Sequence, residues 1–163
     1  MIQKKICMMG AFGVGKTSLV SRFVHSAFSD RYLTTIGVKV DRKSVRVNDR
    51  DGALILWDLQ GEDELQKLRA SYLRGTAGFI LVVDGLRNAT AVTAIELYEK
   101  AQDYLGPVPF AVALNKADLR PSWEVGMEQL AHLEAVGADI VTTSAKTGEG
   151  VEDLFLRLAA KLI

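Results

Sequence analysis

Eight residues near the start of the chain, GAFGVGKT (Gly10 to Thr17), restrict its fold more than any other stretch. They follow IQKKICMM (2–9), which reads as a strand, and they open GKTSLVSRFVHSAF, where leucine, valine and phenylalanine recur at helical spacing. Gly10, Gly15, Lys16 and Thr17 match the pattern G-x-x-x-x-G-K-[ST] in the strand–loop–helix setting that the pattern requires. Glycine is needed because the loop turns sharply and brings backbone N–H groups against phosphate oxygens, where a Cβ would intrude. The helix that follows points its partial positive charge at the same anion. Lys16 adds a compact full charge near the β- and γ-phosphates, and the Thr17 hydroxyl suits Mg²⁺. A cradle for a nucleotide's phosphates is therefore expected. Alone it does not choose between ATP and GTP, or between a switch, a kinase and a motor.

The remaining chain supplies the sheet such a cradle needs. VKVDRKSVRVN (38–48) alternates apolar and polar residues as a half-buried strand does. NDRDG (48–52) is turn chemistry, and ALILWDL (53–59) can pair antiparallel with the strand before it. AGFILVVDG (77–85) and PFAVALNKAD (109–118) are continuous apolar runs ending in polar residues, the pattern of buried parallel strands whose loops carry a site. ATAVTAIELYEKAQDYLG (89–106) reads as a helix stopped by Gly106 and Pro107. VGMEQLAHLEAVG (125–137) reads as a shorter helix, DIVTTSAK as a last strand and loop, and EGVEDLFLRLAAKLI (149–163) as a closing amphipathic helix. The expectation is one α/β domain over residues 1–163 with the P-loop NTPase fold. Its six-stranded sheet is mostly parallel, with one antiparallel strand and helices on both faces.

Composition narrows the partners. The 163 residues carry 20 basic and 20 acidic side chains, and zero net charge argues against nucleic acid or an anionic membrane as the main partner. Cys7 is the only cysteine, so no internal disulfide forms and a reducing, cytoplasmic setting is expected. No apolar run approaches the ~20 residues that span a bilayer, and LAAKLI offers no cysteine for prenylation, so no intrinsic membrane anchor is expected.

Three further stretches select the base. NKAD places Asn115, Lys116 and Asp118 at the carboxyl end of a buried strand. A carboxylate there accepts from the N1–H and N2–H of guanine, whereas adenine presents a lone pair at N1 and has no 2-amino group. Such a mismatch discriminates by several kcal/mol. In SAK (Ser144, Ala145, Lys146) the Ala145 N–H is placed to reach the guanine oxygen. In WDLQG, Asp58 ends a strand where it can hold Mg²⁺ through water, and Gly61 is free to bring its N–H to a γ-phosphate.

With these motifs in order, the whole chain resembles a Ras-superfamily small GTPase of the Rab-like branch. FSDRYLTTIG resembles that family's first switch and WDLQGEDE its second. The resemblance implies Phe28 stacking on the base edge, Tyr32 over the phosphates, and Thr35 joining Thr17 and Asp58 at Mg²⁺ when the γ-phosphate is present. It implies that Lys116 and Lys146 flank the base while Asn115 braces its loop, and it extends the nucleotide contacts to Gly13, Val14, Ser18, Leu119 and Ser144. Lys16, Thr35, Gly61 and Glu62 are the expected catalytic positions. Effector, exchange-factor and GTPase-activating proteins are the implied partners, through residues 29–40 and 58–75.

Two positions depart from the family pattern. Phe12 stands where a small residue is usual. Its ring either leans toward the γ-phosphate and crowds a partner's arginine, or packs outward against the second switch. Glu62 stands where a water-orienting glutamine is common, with Gln60 two residues earlier. An ionised carboxylate only accepts hydrogen bonds, and at ~5 Å from a phosphate, with an effective dielectric near ~20, it is repelled by a few kcal/mol. Slow hydrolysis is expected. Trp57 reads as sheet-face packing, Trp123 as a loop or helix-end residue, and His25 and His132 as solvated or capping. Two functional readings remain: a GTP-hydrolysing switch, and a GTP-binding interaction module with little turnover. A P-loop kinase would need an arginine-rich lid that residues 121–137 do not offer.

Overall fold

The computed structural model describes residues 2–24, 38–58 and 70–163, together with the backbone of 32–33 and 59. A central sheet runs through it in the order β2-β3-β4-β1-β5-β6-β7. The strands are β1 (Ile2–Gly10), β2 (Tyr32–Leu33), β3 (Val38–Val47), β4 (Arg50–Leu59), β5 (Thr76–Asp84), β6 (Phe110–Asn115) and β7 (Asp139–Thr142). Six strands follow the expected segments, and only β3 runs against the rest. The two-residue β2 extends the edge beside β3, a pairing too short to leave a periodic signal in the sequence.

The apolar runs are continuous because both faces of the sheet are covered. Along β1, Ile6 and Met8 enter one core while Cys7 and Met9 enter the other. The same division separates Ile80 and Val82 from Phe79, Leu81 and Val83 on β5. One face is covered by α1 (Lys16–Val24) and α5 (Val151–Leu162), where Phe23 stacks on Phe155 with ring centroids 4.2 Å apart. The other is covered by α2 (Ala70–Leu73), α3 (Asn88–Leu105) and α4 (Met127–Ala135). α3 buries Ala91, Ala94, Leu97 and Ala101, and its small side chains let the helix lie close to the sheet. It ends where expected, with Gly106 at φ 72° donating its N–H to Gln102.

Two local outcomes refine the sequence reading. The β3–β4 turn is not the whole of 48–52: Asn48 and Asp49 alone form it, both at positive φ, and Arg50 already pairs with Val47. That is the two-residue turn whose twist matches the flanking strands. The apolar run 109–118 ends as a strand at Asn115 and continues as a short 3₁₀ helix, Ala117–Ser122, which has no periodic signal in the sequence. Trp123 caps it, as its helix-end reading expects. His132 lies exposed on α4, and Trp57 is half-buried on the sheet face with the Lys5 ammonium 3.6 Å from its ring centroid. His25 and Gln60 lie outside the described residues.

Burial pushes the Cys7 thiol up to about 11, with Thr76 Oγ1 at 3.1 Å as its near polar neighbour. The folded protein should therefore resist thiol reagents at pH 8 until it unfolds. As pH rises from 9.0 toward about 11, the unfolded thiol ionises before the native one, so stability should fall across that window. Labelling rate against denaturant, and melting temperature against pH for wild type and Cys7→Ala, check both statements. Rapid native labelling at pH 8 would contradict them.

Candidate nucleotide site

The carboxyl ends of β1, β4, β5, β6 and β7 converge where the loop of residues 10–17 leaves the sheet. Two glycines shape that loop. Gly15 has φ 105°, and a Cβ on it would overlap the Asn115 amide nitrogen. Gly13 has φ 78°, a conformation that L side chains rarely adopt. Lys16 begins α1, is 7% exposed, and arches back so that Nζ donates to the Gly10 carbonyl at 3.1 Å and lies 3.4 Å from that of Ala11. Val14 is buried, while Thr17 and Ser18 are exposed at the start of α1.

Asn115 ends β6 and crosses to the loop. Its Nδ2 donates to the Val14 carbonyl at 2.9 Å, and its Oδ1 accepts from the Thr143 hydroxyl at 3.0 Å. Lys116 follows in the left-handed region, φ 74°, and its carbonyl accepts from Trp123 Nε1 at 2.8 Å. Its ammonium donates to Asp84 Oδ2 at 2.7 Å and to the Gly13 carbonyl at 3.3 Å. Asp118 Oδ1 accepts from the buried Ser144 hydroxyl at 2.8 Å, which ties the NKAD loop to the SAK loop. Outside them, Arg120 pairs with Glu149, whose carbonyl accepts the Ser144 N–H at 2.9 Å. These loops enclose a cleft of about 400 Å³ lined by Gly15, Ser18, Asn115, Lys116, Asp118, Leu119, Ala145 and Lys146. Each of those eight was singled out from the sequence, and strands far apart in the chain bring them together.

A second cluster lies at the start of α1. Thr17 Oγ1 donates to Asp58 Oδ2 at 2.5 Å, and Asp58 Oδ1 is buried with no hydrogen-bond partner among the described residues. Burial, reinforced by Asp41, raises the Asp58 carboxyl above its ordinary value even though Thr17, Lys16 and Lys39 pull the other way. A buried carboxylate oxygen without a donor, beside a hydroxyl and the phosphate loop, fits a hard divalent cation. Mg²⁺ takes one or two protein oxygens and completes its shell with phosphate and water. Among the described residues no cluster of three or more His, Cys, Asp or Glu side chains offers a richer metal cage.

Asp84, Arg87, Trp123 and Thr143 were not singled out as site residues, yet all four bear on the loops. Asp84 had a signal: like Asp58, it ends a buried apolar run. Burial pushes its carboxyl up, but hydrogen bonds from Lys116, the Leu86 N–H and Arg87 outweigh this and hold it below the usual carboxylate value. Phe12 is 62% exposed, and its carbonyl accepts from Arg87 Nη2 at 2.9 Å. Phe28, Thr35, Gly61, Glu62 and the Tyr32 side chain lie outside the described residues, as does much of the expected partner surface in 29–40 and 58–75. No described helix is long and apolar enough to cross a membrane.

Comparison with known proteins gives the same family. The Ras family model matches residues 5–163. Human Ras-related protein Rab-31 is 31% identical over 161 residues, covering 97% of this chain and 82% of its own. Mouse Ras-related protein Rab-22A is 32% identical, with coverage of 97% and 82%. Dictyostelium discoideum Ras-related protein Rab-21 is 30% identical, with coverage of 98% and 76%.

Proposed function

Because the chain belongs to the Ras family, we propose that it is a molecular switch that binds GTP and GDP with Mg²⁺ and hydrolyses GTP slowly. The observation that carries this reading is the cleft in which a phosphate loop, Asp118 and the SAK loop meet. Ser144 engages only Oδ1 of Asp118 among the described residues, leaving Oδ2 to accept from the N1–H and N2–H edge of guanine. The Ala145 N–H takes the guanine oxygen, and Lys116 and Lys146 flank the ring.

Phosphoryl transfer in such a site is positioning plus electrostatics. The loop N–H groups and Lys16 hold the phosphates and offset the charge that develops on them. Thr17, Asp58 and Thr35 hold Mg²⁺, which supplies further charge neutralisation when bound. Thr35 and Gly61 sense the γ-phosphate, and residues 29–40 and 58–75 present that state to effectors, exchange factors and activating proteins in the cytoplasm.

A second reading, a binding module with little turnover, is favoured by Glu62, which cannot donate to the attacking water. Single-turnover hydrolysis separates the two. The expected rate is on the order of 10⁻⁴ s⁻¹ or below, the scale for unassisted hydrolysis by a related GTPase. Glu62→Gln should raise it while leaving GTP affinity nearly unchanged. A slower Glu62→Gln protein would show the carboxylate acting as an acid or base, and no measurable turnover in either protein would favour the module.

A further inference from the structure

Arg87 joins the carboxyl end of β5 to the phosphate loop. It stands at the N-cap of α3 with extended backbone, φ −131° and ψ 104°, and makes no side-chain cap. Instead its guanidinium turns back to the phosphate loop. Nε donates to Asp84 Oδ2 at 3.0 Å and Nη2 donates to the Phe12 carbonyl at 2.9 Å, 75 residues away. Lys116 shares the same Asp84 oxygen and reaches the next carbonyl, that of Gly13. Two cations thus pivot on one carboxylate that is 1% exposed, and each holds one of two successive carbonyls in the loop.

The consequence follows from peptide geometry. In a trans planar peptide the C=O and the N–H point in opposite directions. Holding the Phe12 carbonyl toward Arg87 turns the Gly13 N–H away from it, and holding the Gly13 carbonyl toward Lys116 does the same for the Val14 N–H. Loop N–H groups are what a phosphate chain binds. Gly13 is committed to this arrangement, since it has φ 78° and a Cβ there would lie 3.3 Å from Arg87 Nη2.

Resting on the guanine-nucleotide reading of the cleft, we infer that Arg87 is a positioning residue for the nucleotide's phosphate chain. It fixes the Phe12–Gly13 peptide so that the Gly13 N–H serves the phosphates beyond the first. A lysine does not replace it. Arg87 reaches its two acceptors through two nitrogens of one rigid plane, Nε and Nη2. A lysine at this position would have to bring both acceptors to a single nitrogen, as Lys116 does with its own pair.

The test is titration calorimetry of GDP and GMP, with Mg²⁺, against wild type, Arg87→Ala and Arg87→Lys. Loss of a charge-assisted hydrogen bond predicts about tenfold weaker GDP binding by Arg87→Ala and less than twofold weaker GMP binding. The ratio of the two affinities isolates the β-phosphate, which a general loosening of the fold would not single out. Arg87→Lys, which keeps the charge, should recover less than half of that ratio. Equal weakening of GDP and GMP, or a full GDP/GMP ratio in Arg87→Lys, would overturn the inference. A wild-type protein that bound neither nucleotide would overturn the guanine reading itself, and the two failures are told apart by that first measurement.

Discussion

Asp118→Asn should lower affinity for GDP and GTP by about 10³-fold and raise affinity for xanthine nucleotides. Two hydrogen bonds to a carboxylate are lost, each worth ~1.5–3 kcal/mol, and an amide N–H₂ is brought against guanine's own donors. Sites built on buried polar matching discriminate on this scale or beyond. The structure makes the substitution clean. Ser144 donates to Asp118 Oδ1, and an asparagine carbonyl accepts the same bond, so the link between the NKAD and SAK loops survives. Only the group facing the base changes, and xanthine's 2-oxo group can accept from the new amide. Competition of GDP, xanthosine diphosphate and ADP against a fluorescent nucleotide reads the outcome. Equal competition by ADP and GDP at the wild-type site would sink the base assignment.

Asn115→Ala should be the most damaging single truncation in the cleft, lowering both stability and nucleotide retention. The side chain is 2% exposed and joins β6 to the phosphate loop, 101 residues earlier, and to Thr143. Its removal leaves the Val14 carbonyl and the fully buried Thr143 hydroxyl without these partners. At ~1–3 kcal/mol for each of the two unsatisfied groups, the loss is about 2–6 kcal/mol from a typical total of ~5–15. Freed from Asn115, the Val14–Gly15 backbone loses its anchor beneath the phosphates, so GDP should dissociate about 10²-fold faster. Chemical denaturation and a nucleotide-chase experiment measure the two effects. Thr143→Val removes one partner and spares the Val14 bond, so it should lower stability with a much smaller change in GDP release. If Asn115→Ala and Thr143→Val accelerated release equally, the contact with Val14 would have no special role.

The sequence by itself determined whatever depends on neighbours along the chain. Gly10, Gly15, Lys16 and Thr17 define the phosphate loop because their spacing encodes one backbone conformation and one charge. The apolar runs 77–85 and 109–118 announced central strands, since a strand buried on both faces has no polar alternation to show. Six of the eight residues lining the cleft, Gly15, Asn115, Lys116, Asp118, Ala145 and Lys146, are legible because they sit in short motifs that follow a strand, while Ser18 and Leu119 are reached only through the family resemblance. Tertiary structure decided what those motifs lean on. Asn115 could be read as bracing a loop, but its partners, Val14 in the phosphate loop and Thr143 just past β7, lie far from it in the chain. The meeting of Asp84, Arg87 and Lys116 under Phe12 and Gly13 has no pattern in the chain, because long side chains find acceptors through the sheet order rather than through sequence separation. The edge pairing of Tyr32–Leu33 and the exact turn at Asn48–Asp49 were decided the same way, by strand register, which only the assembled sheet imposes.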